Sequence, residues 1–157
     1  MQTKALVDER WWDSFSAGDR YRTESVTVTE THVVNWASLT GDWVPLHVDA
    51  EYAAATQFGE RIAHGPLTLA LALGLVTRTG IFGNCVLAWL GLDEVRLPRP
   101  VKFGDTIHAD VAVRESRPTS KPGRGLTVLD YDVRNQRAES VMTFTSTFIL
   151  KMADGPG

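Results

Sequence analysis

The pattern of apolar positions changes once along the chain. Between Ile62 and Gly80, the residues Leu67, Leu69, Ala70, Leu71, Leu73, Leu75 and Val76 are apolar nearly all round a helical cylinder. A helix of that kind is buried within a domain, not laid on its surface. Pro66 suits its first turn, where the missing N–H costs nothing, and Gly80 suits its end. Beyond it the period drops to two. Val86–Leu97, Thr106–Ser116, Leu126–Val133 and Ser140–Met152 each read as long strands, with Ala109, Val111 and Val113 alternating with Asp110, Ala112 and Arg114. Turn-like segments join them at Lys102–Asp105, Ser120–Gly125 and Asn135–Ala138.

The first half is built of shorter elements. Tyr21–Val28 reads as a strand. Thr29 is a good N-cap, with Glu30 in the first turn, for a short helix carrying Val33, Val34, Trp36 and Ala37 and stopped by Gly41. Asp49 can cap a second short helix through Glu51–Thr56. Trp11, Trp12 and Phe15 are expected to pack the opening segment onto the domain. One buried helix followed by a run of antiparallel strands predicts an α+β domain: one sheet wrapped around one helix.

Composition narrows this picture little. A chain of 157 residues, 43% hydrophobic and 22% charged, predicts a single globular domain over 1–157 with a real core. The formal net charge of -3 is scattered, so no nucleic-acid or membrane face is expected. Cys85 is alone and set among Val86, Leu87 and Ala88, which predicts a buried, inert thiol. Met1–Arg10 carries charges and lacks a long apolar run, and Leu67–Val76 is too short to span a bilayer. A cytoplasmic protein is the expectation.

The candidate chemistry sits before and at the mouth of the apolar helix. Thr40-Gly41-Asp42-Trp43-Val44-Pro45-Leu46-His47 places a carboxylate and an imidazole five residues apart, and Ile62-Ala63-His64-Gly65-Pro66 follows. Asp and His are the usual partners for moving protons near neutral pH. A Gly at the mouth of a helix presents backbone N–H groups to a developing oxyanion. Asp42 could instead cap a turn, His47 could be a satisfied core histidine, and Gly65 could merely permit a tight backbone. His64 either fixes the loop before the helix or takes a direct part. Trp36 and Trp43 either line a pocket or pack. His32 and His108 show no ligand spacing with each other, and no metal site is expected.

These stretches, together with Arg99-Pro100-Val101-Lys102-Phe103-Gly104-Asp105, Lys121-Pro122-Gly123-Arg124-Gly125 and Asn135-Gln136, resemble the MaoC-like hydratases, the (R)-specific enoyl-CoA hydratases and dehydratases of the hot-dog fold. The resemblance runs from about Phe15 to Lys151. It implies an antiparallel sheet wrapped around a long central helix, a homodimer with a continuous sheet, and a site near the dimer interface. It implies reversible addition of water across the double bond of a trans-2-enoyl thioester, with no cofactor beyond the coenzyme A or carrier-protein thioester of the substrate. Asp42 and His47 would hold and activate the water, and the Gly65 N–H would bind the thioester carbonyl. His64, Val44, Trp43, Lys121 and Arg124 would contact substrate, the last two through coenzyme A phosphates; a solvated hairpin turn is the other reading of that pair.

One position departs from the resemblance. The usual motif reads Asp-x-Asn-Pro-x-His, and Val44 stands at the Asn position. Valine offers no donor or acceptor there. It either reshapes the pocket or weakens or redirects the activity. A hot-dog acyl-CoA thioesterase and a non-catalytic acyl-thioester-binding subunit are the competing functions.

Overall fold

The computed structural model of the protein describes residues 10–154. Met1–Glu9, most of the segment expected to carry no leader, lie outside them. The described chain opens with a 3-10 turn at Trp12–Ser14. Two short strands follow, β1 (Arg20–Arg22) and β2 (Val26–Thr27), and then α1 (Glu30–Thr40), α2 (Pro45–Val48) and α3 (Ala50–Ala54). The central helix α4 (Gly65–Arg78) precedes four long strands: β3 (Val86–Arg96), β4 (Thr106–Pro118), β5 (Arg124–Arg134) and β6 (Ser140–Lys151). The sheet is antiparallel in the order β1-β4-β5-β6-β3, with β2 also on β4. Among the described residues no helix is long and apolar enough to cross a membrane.

The four long strands and α4 lie where the apolar periods place them. The Tyr21–Val28 segment does not form one strand. Arg22 pairs with Asp110 and Val26 with Ile107, so four steps on this segment meet three on β4. The extra residue breaks the ladder. Thr23 holds the break closed: its N–H donates to the Ala109 carbonyl at 3.0 Å and its Oγ1 accepts the Ala109 N–H at 2.9 Å.

Local chemistry sets the helix ends. At the start of α1 the Thr29 N–H donates to His32 Nδ1 at 3.1 Å, which gives His32 a capping job. Gly41 ends α1 with φ of 80°, a left-handed conformation that glycine adopts without strain. Asp49 caps α3 by accepting the Tyr52 N–H at 2.9 Å. The second short helix therefore begins at Ala50 and ends at Ala54, earlier than Glu51–Thr56.

The core lies between α4 and one face of the sheet. Val111 on β4, Tyr131 on β5 and Phe144 on β6 are neighbours across the strands and all buried. The Tyr131 and Phe144 rings stack with centroids 4.3 Å apart. Fully buried Leu129 and Met142 fill the same layer, and truncating such a side chain to Ala typically costs about 2–5 kcal/mol. Phe15 is buried and Trp11 and Trp12 pack beside it, as the opening aromatics predict. Trp12 lies so close to Gly125 that a Cβ there would be 2.1 Å from the indole Nε1.

The helix is not covered all round within one chain. Pro66, Ala70 and Gly74, spaced four apart along one stripe of α4, are exposed. The opposite sheet face carries charge. Arg22 pairs with Asp110, Arg114 with Asp130 and Arg134 with Asp132, each within 2.7 Å, around a shallow depression of about 590 Å³. Surface pairs like these contribute little to stability, so this face reads as a solvated lattice of ion pairs.

Candidate active site

The Asp–His motif occupies the turn out of α1 and the whole of α2. Trp36 packs against the core and its carbonyl accepts the Thr40 hydroxyl at 2.7 Å, while the same Oγ1 accepts the Asp42 N–H at 3.3 Å. Gly41 then reverses the chain. Pro45 opens α2 at its first position, where a fixed φ is suited to a helix. Val44 is the N-cap of α2, half of its surface is exposed, and no side-chain cap bond is present. The Asn position of the motif is thus an N-cap position here, the place where an Asn side chain works best. Trp43 is likewise exposed and does not line the cleft beside the site.

The second half of the site comes from the segment before α4. An isolated bridge pairs Ile62 with Lys102, and the Ala63 N–H donates to the Val101 carbonyl at 2.8 Å. This tether presents the Ile62 carbonyl to His47, whose Nδ1 lies 2.7 Å from it. A carbonyl only accepts, so Nδ1 carries a proton and Nε2 is the nitrogen left to accept one in the neutral ring. His64 is fully buried, and its Nε2 donates to the Asp42 backbone carbonyl at 3.0 Å. The two imidazoles stack with centroids 3.9 Å apart. Side-chain donor atoms of Asp42, His47 and His64 all lie within 4.8 Å of one another.

His64 therefore does what its loop-fixing reading expects, and through a bond that its sequence neighbours do not reveal: it ties the α4 mouth to the carboxylate-bearing residue. Two imidazoles and a carboxylate are also a set that could hold a divalent metal. One nitrogen of each ring is already committed to a carbonyl, which leaves His47 Nε2, His64 Nδ1 and the Asp42 carboxylate as the available donors.

Gly65 is the first residue of α4, and its N–H has no carbonyl four residues back within the helix. It opens onto a cleft of about 310 Å³ lined by His47, Ile62, Leu97, Arg99, Val101 and Val141, with Phe58 at one wall. A Cβ at Gly65 would meet Leu97 Cδ2 at 2.7 Å, so a side chain here would have to push the flexible end of Leu97 aside. Helix-mouth N–H groups beside an apolar cleft favour developing negative charge.

Asp42, His47, His64 and Gly65 are thus brought together. Lys121 and Arg124 are not. They sit on the β4–β5 turn, where the Met152 N–H donates to the Gly123 carbonyl and the Lys151 N–H to the Cys85 carbonyl, beyond the far end of α4. Of the cleft wall made by Phe58, Leu97, Arg99 and Val141, only Arg99 lies in a stretch that sequence reasoning singles out, the Arg99–Asp105 run; Phe58, Leu97 and Val141 escape it.

An antiparallel sheet curled over one long helix, with a carboxylate and an imidazole at the helix mouth, defines an α+β hot-dog domain. Residues 14–133 match the MaoC-like domain family, and the chain belongs to it. Over 96 residues it is 41% identical to the 3-hydroxyacyl-thioester dehydratase Z of Mycobacterium tuberculosis, covering 60% of this chain and 64% of that one. It spans 29% of the Protein MaoC of Klebsiella aerogenes. The solved Monoamine oxidase regulatory protein of Archaeoglobus fulgius superposes with a TM-score of 0.86 and 36% identity, covering 92% of this chain and 95% of that one. A Mycobacterium tuberculosis protein described as a double hotdogfold superposes with a TM-score of 0.84 and 26% identity, over 94% of this chain and 46% of that one.

Proposed function

We propose that the protein is an (R)-specific enoyl thioester hydratase, equally a 3-hydroxyacyl thioester dehydratase, that works without a metal. The observation that carries this reading is the orientation of His47. Its Nδ1–H is spent on the Ile62 carbonyl, and a ring nitrogen of His47 lies within 4.8 Å of the Asp42 carboxylate at the mouth of α4, so Nε2 is the nitrogen left for proton transfer. One water fits between them as reactant. His47 Nε2 takes a water proton as the oxygen adds to the β-carbon of the enoyl thioester. The thioester oxygen gains charge against the Gly65 N–H. The imidazolium, steadied by Asp42, returns its proton to the α-carbon. Water is thereby added without leaving group or oxidant, and the reverse sequence is dehydration.

A homodimer completes this reading. β3 is an edge of the sheet, and Val86, Leu87, Trp89 and Leu90 on it are exposed. An apolar edge of that length is a template for pairing. The exposed α4 stripe of Pro66, Ala70 and Gly74 lacks bulk and suits close approach of a second helix. The M. tuberculosis double hotdogfold, whose chain is about twice this length, supports pairing of two such units.

The test follows the conjugated enoyl absorbance of crotonyl-CoA beside a thiol-release assay, with and without a chelator. Loss of absorbance with no free thiol, unaffected by chelator, is the expected result. Thiol release at the same rate would make the protein a thioesterase instead.

A further inference from the structure

The cleft beside Gly65 is apolar on most sides and carries one permanent cation. Phe58, Ile62, Leu97, Val101 and Val141 wall it. Arg99 is the one Lys or Arg among the described residues that lines it, and no Asp or Glu among them does. A guanidinium set on an apolar wall calls for an anion, from the protein or from a ligand.

What the protein supplies to Arg99 is slight. Its Nη1–H donates to the Ser140 carbonyl at 3.3 Å. Its Nε stands 3.8 Å from Glu139 Oε1, beyond hydrogen-bond length. Glu139 is engaged elsewhere, because its Oε2 accepts from Asn135 Nδ2 at 2.8 Å and from Arg137 Nε at 2.9 Å. The Arg99 side chain is 52% exposed, so most of its donors are open. Other cations near the helix mouth are held closely: Arg61 at 2.7 Å from Glu30, and Lys102 at 2.5 Å from Glu60.

The backbone sets where Arg99 stands. Ile62 pairs with Lys102 in an antiparallel bridge, and the Ala63 N–H donates to the Val101 carbonyl. Carried on, the same register brings Arg99 opposite Gly65. The contact that a Cβ on Gly65 would make with Leu97 shows this strap still running beside the helix mouth. Pro98 and Pro100, on either side of Arg99, have fixed φ and stiffen the strap. Arg99 is therefore level with the N–H that receives the thioester carbonyl. The phosphates of coenzyme A lie a whole pantetheine arm away from that carbonyl. An anion that meets Arg99 belongs to the acyl group, a few bonds from the double bond.

We propose that Arg99 selects enoyl thioesters whose acyl chain ends in a carboxylate, the monothioesters of short unsaturated dicarboxylic acids. This rests on the hydratase reading given above. Water adds as before, its oxygen to the β-carbon and a proton to the α-carbon, and the terminal carboxylate passes through unchanged. The guanidinium fork matches its two oxygens, and the apolar walls take the carbons between. An uncharged chain leaves those donors unanswered.

The test compares glutaconyl-CoA with 5-methylhex-2-enoyl-CoA, in which an isopropyl group of the same shape replaces the carboxylate. Wild-type kcat/KM is expected to favour the carboxylate about ten- to a hundredfold, as for one charge-assisted pair. Arg99→Gln is expected to bring that ratio to about one, with coenzyme A thioesters and with their phosphate-free pantetheine counterparts alike. A wild-type preference for the isopropyl thioester overturns the proposal while the hydratase reading stands. An Arg99→Gln protein slowed equally on both thioesters also overturns it, since Arg99 would then serve the carbonyl and not the acyl end. So does a loss seen with coenzyme A thioesters that vanishes with pantetheine thioesters, which would put Arg99 on the phosphates. A wild-type protein that hydrates neither of these thioesters nor crotonyl-CoA overturns the reading beneath, and the proposal with it.

Discussion

Replacing His64 with Phe isolates the bond between the helix mouth and the Asp42 loop. The ring stays apolar, flat and of similar bulk, so the stacking on His47 survives. The lost contact is the Nε2–H to Asp42 carbonyl bond of 3.0 Å, in a side chain with no exposed surface. A part-buried carbonyl left without its donor costs up to about 1–3 kcal/mol. For a domain of this size that lowers Tm by about 2–12 °C. The larger effect falls on catalysis. A displacement of about 1 Å in a catalytic group can cost about a hundredfold in rate, so kcat for crotonyl-CoA is expected to fall by about that factor with KM little moved. Thermal melts and steady-state hydration assays read the two effects separately. His64→Gln can return an N–H toward the same carbonyl and is expected to recover kcat to within about tenfold of wild type. If His64 itself handled a proton, Gln would be as inactive as Phe. A folded His64→Phe protein with wild-type kcat would refute the positioning role.

Further predictions follow from particular neighbours. Val44→Asn places a good cap at the start of α2, and should add about 1 kcal/mol, or about 2–4 °C in Tm by calorimetry, with activity retained. Gly65→Ala meets only the flexible end of Leu97, so Tm should change by about 2–4 °C at most, whereas kcat/KM should drop about a hundredfold because the methyl crowds the carbonyl's approach to the N–H. Cys85 is buried, and burial pushes its thiol up from about 9 to about 11. Its folded pKa is the raised one, so the stability it lends is complete below about pH 9 and lost as pH rises toward 11. The denaturation midpoint of wild type minus that of Cys85→Ala should shrink across that window, and Ellman's reagent at pH 8 should label the thiol only after unfolding.

Much of the fold is legible because its elements are long and their periods unmixed. β4 and β5 alternate cleanly over most of their length, and α4 announces itself by Pro66, Gly80 and the leucines between. What the pattern misses depends on partners distant in sequence. The break at Thr23 exists because β4 supplies one residue fewer than the segment opposite, which no local window reveals. The exposed stripe of α4 is invisible to a helical projection, since small residues read as core whether sheet or second copy covers them. At the site, the residue types and spacing expose Asp42, His47 and Gly65. The acceptor that orients His47 is a backbone carbonyl, however, and Ile62 is set in place by Lys102, forty residues on. Lys121 and Arg124 show the same limit from the other side. Their charge is evident in the chain, but their distance from the cleft appears only once α4 is seen to run between them.

The central claim is that Asp42 and His47 act on one water at the mouth of α4. Asp42→Asn tests it most directly, because the amide keeps the shape and the backbone bond to His64 but removes the charge that steadies the imidazolium. The measurement is crotonyl-CoA hydration by the variant, with its fold checked by circular dichroism. The account predicts an intact fold and a kcat reduced about a thousandfold or more, comparable to removal of a general acid–base group. A folded Asp42→Asn protein that hydrates crotonyl-CoA at the wild-type rate would contradict it.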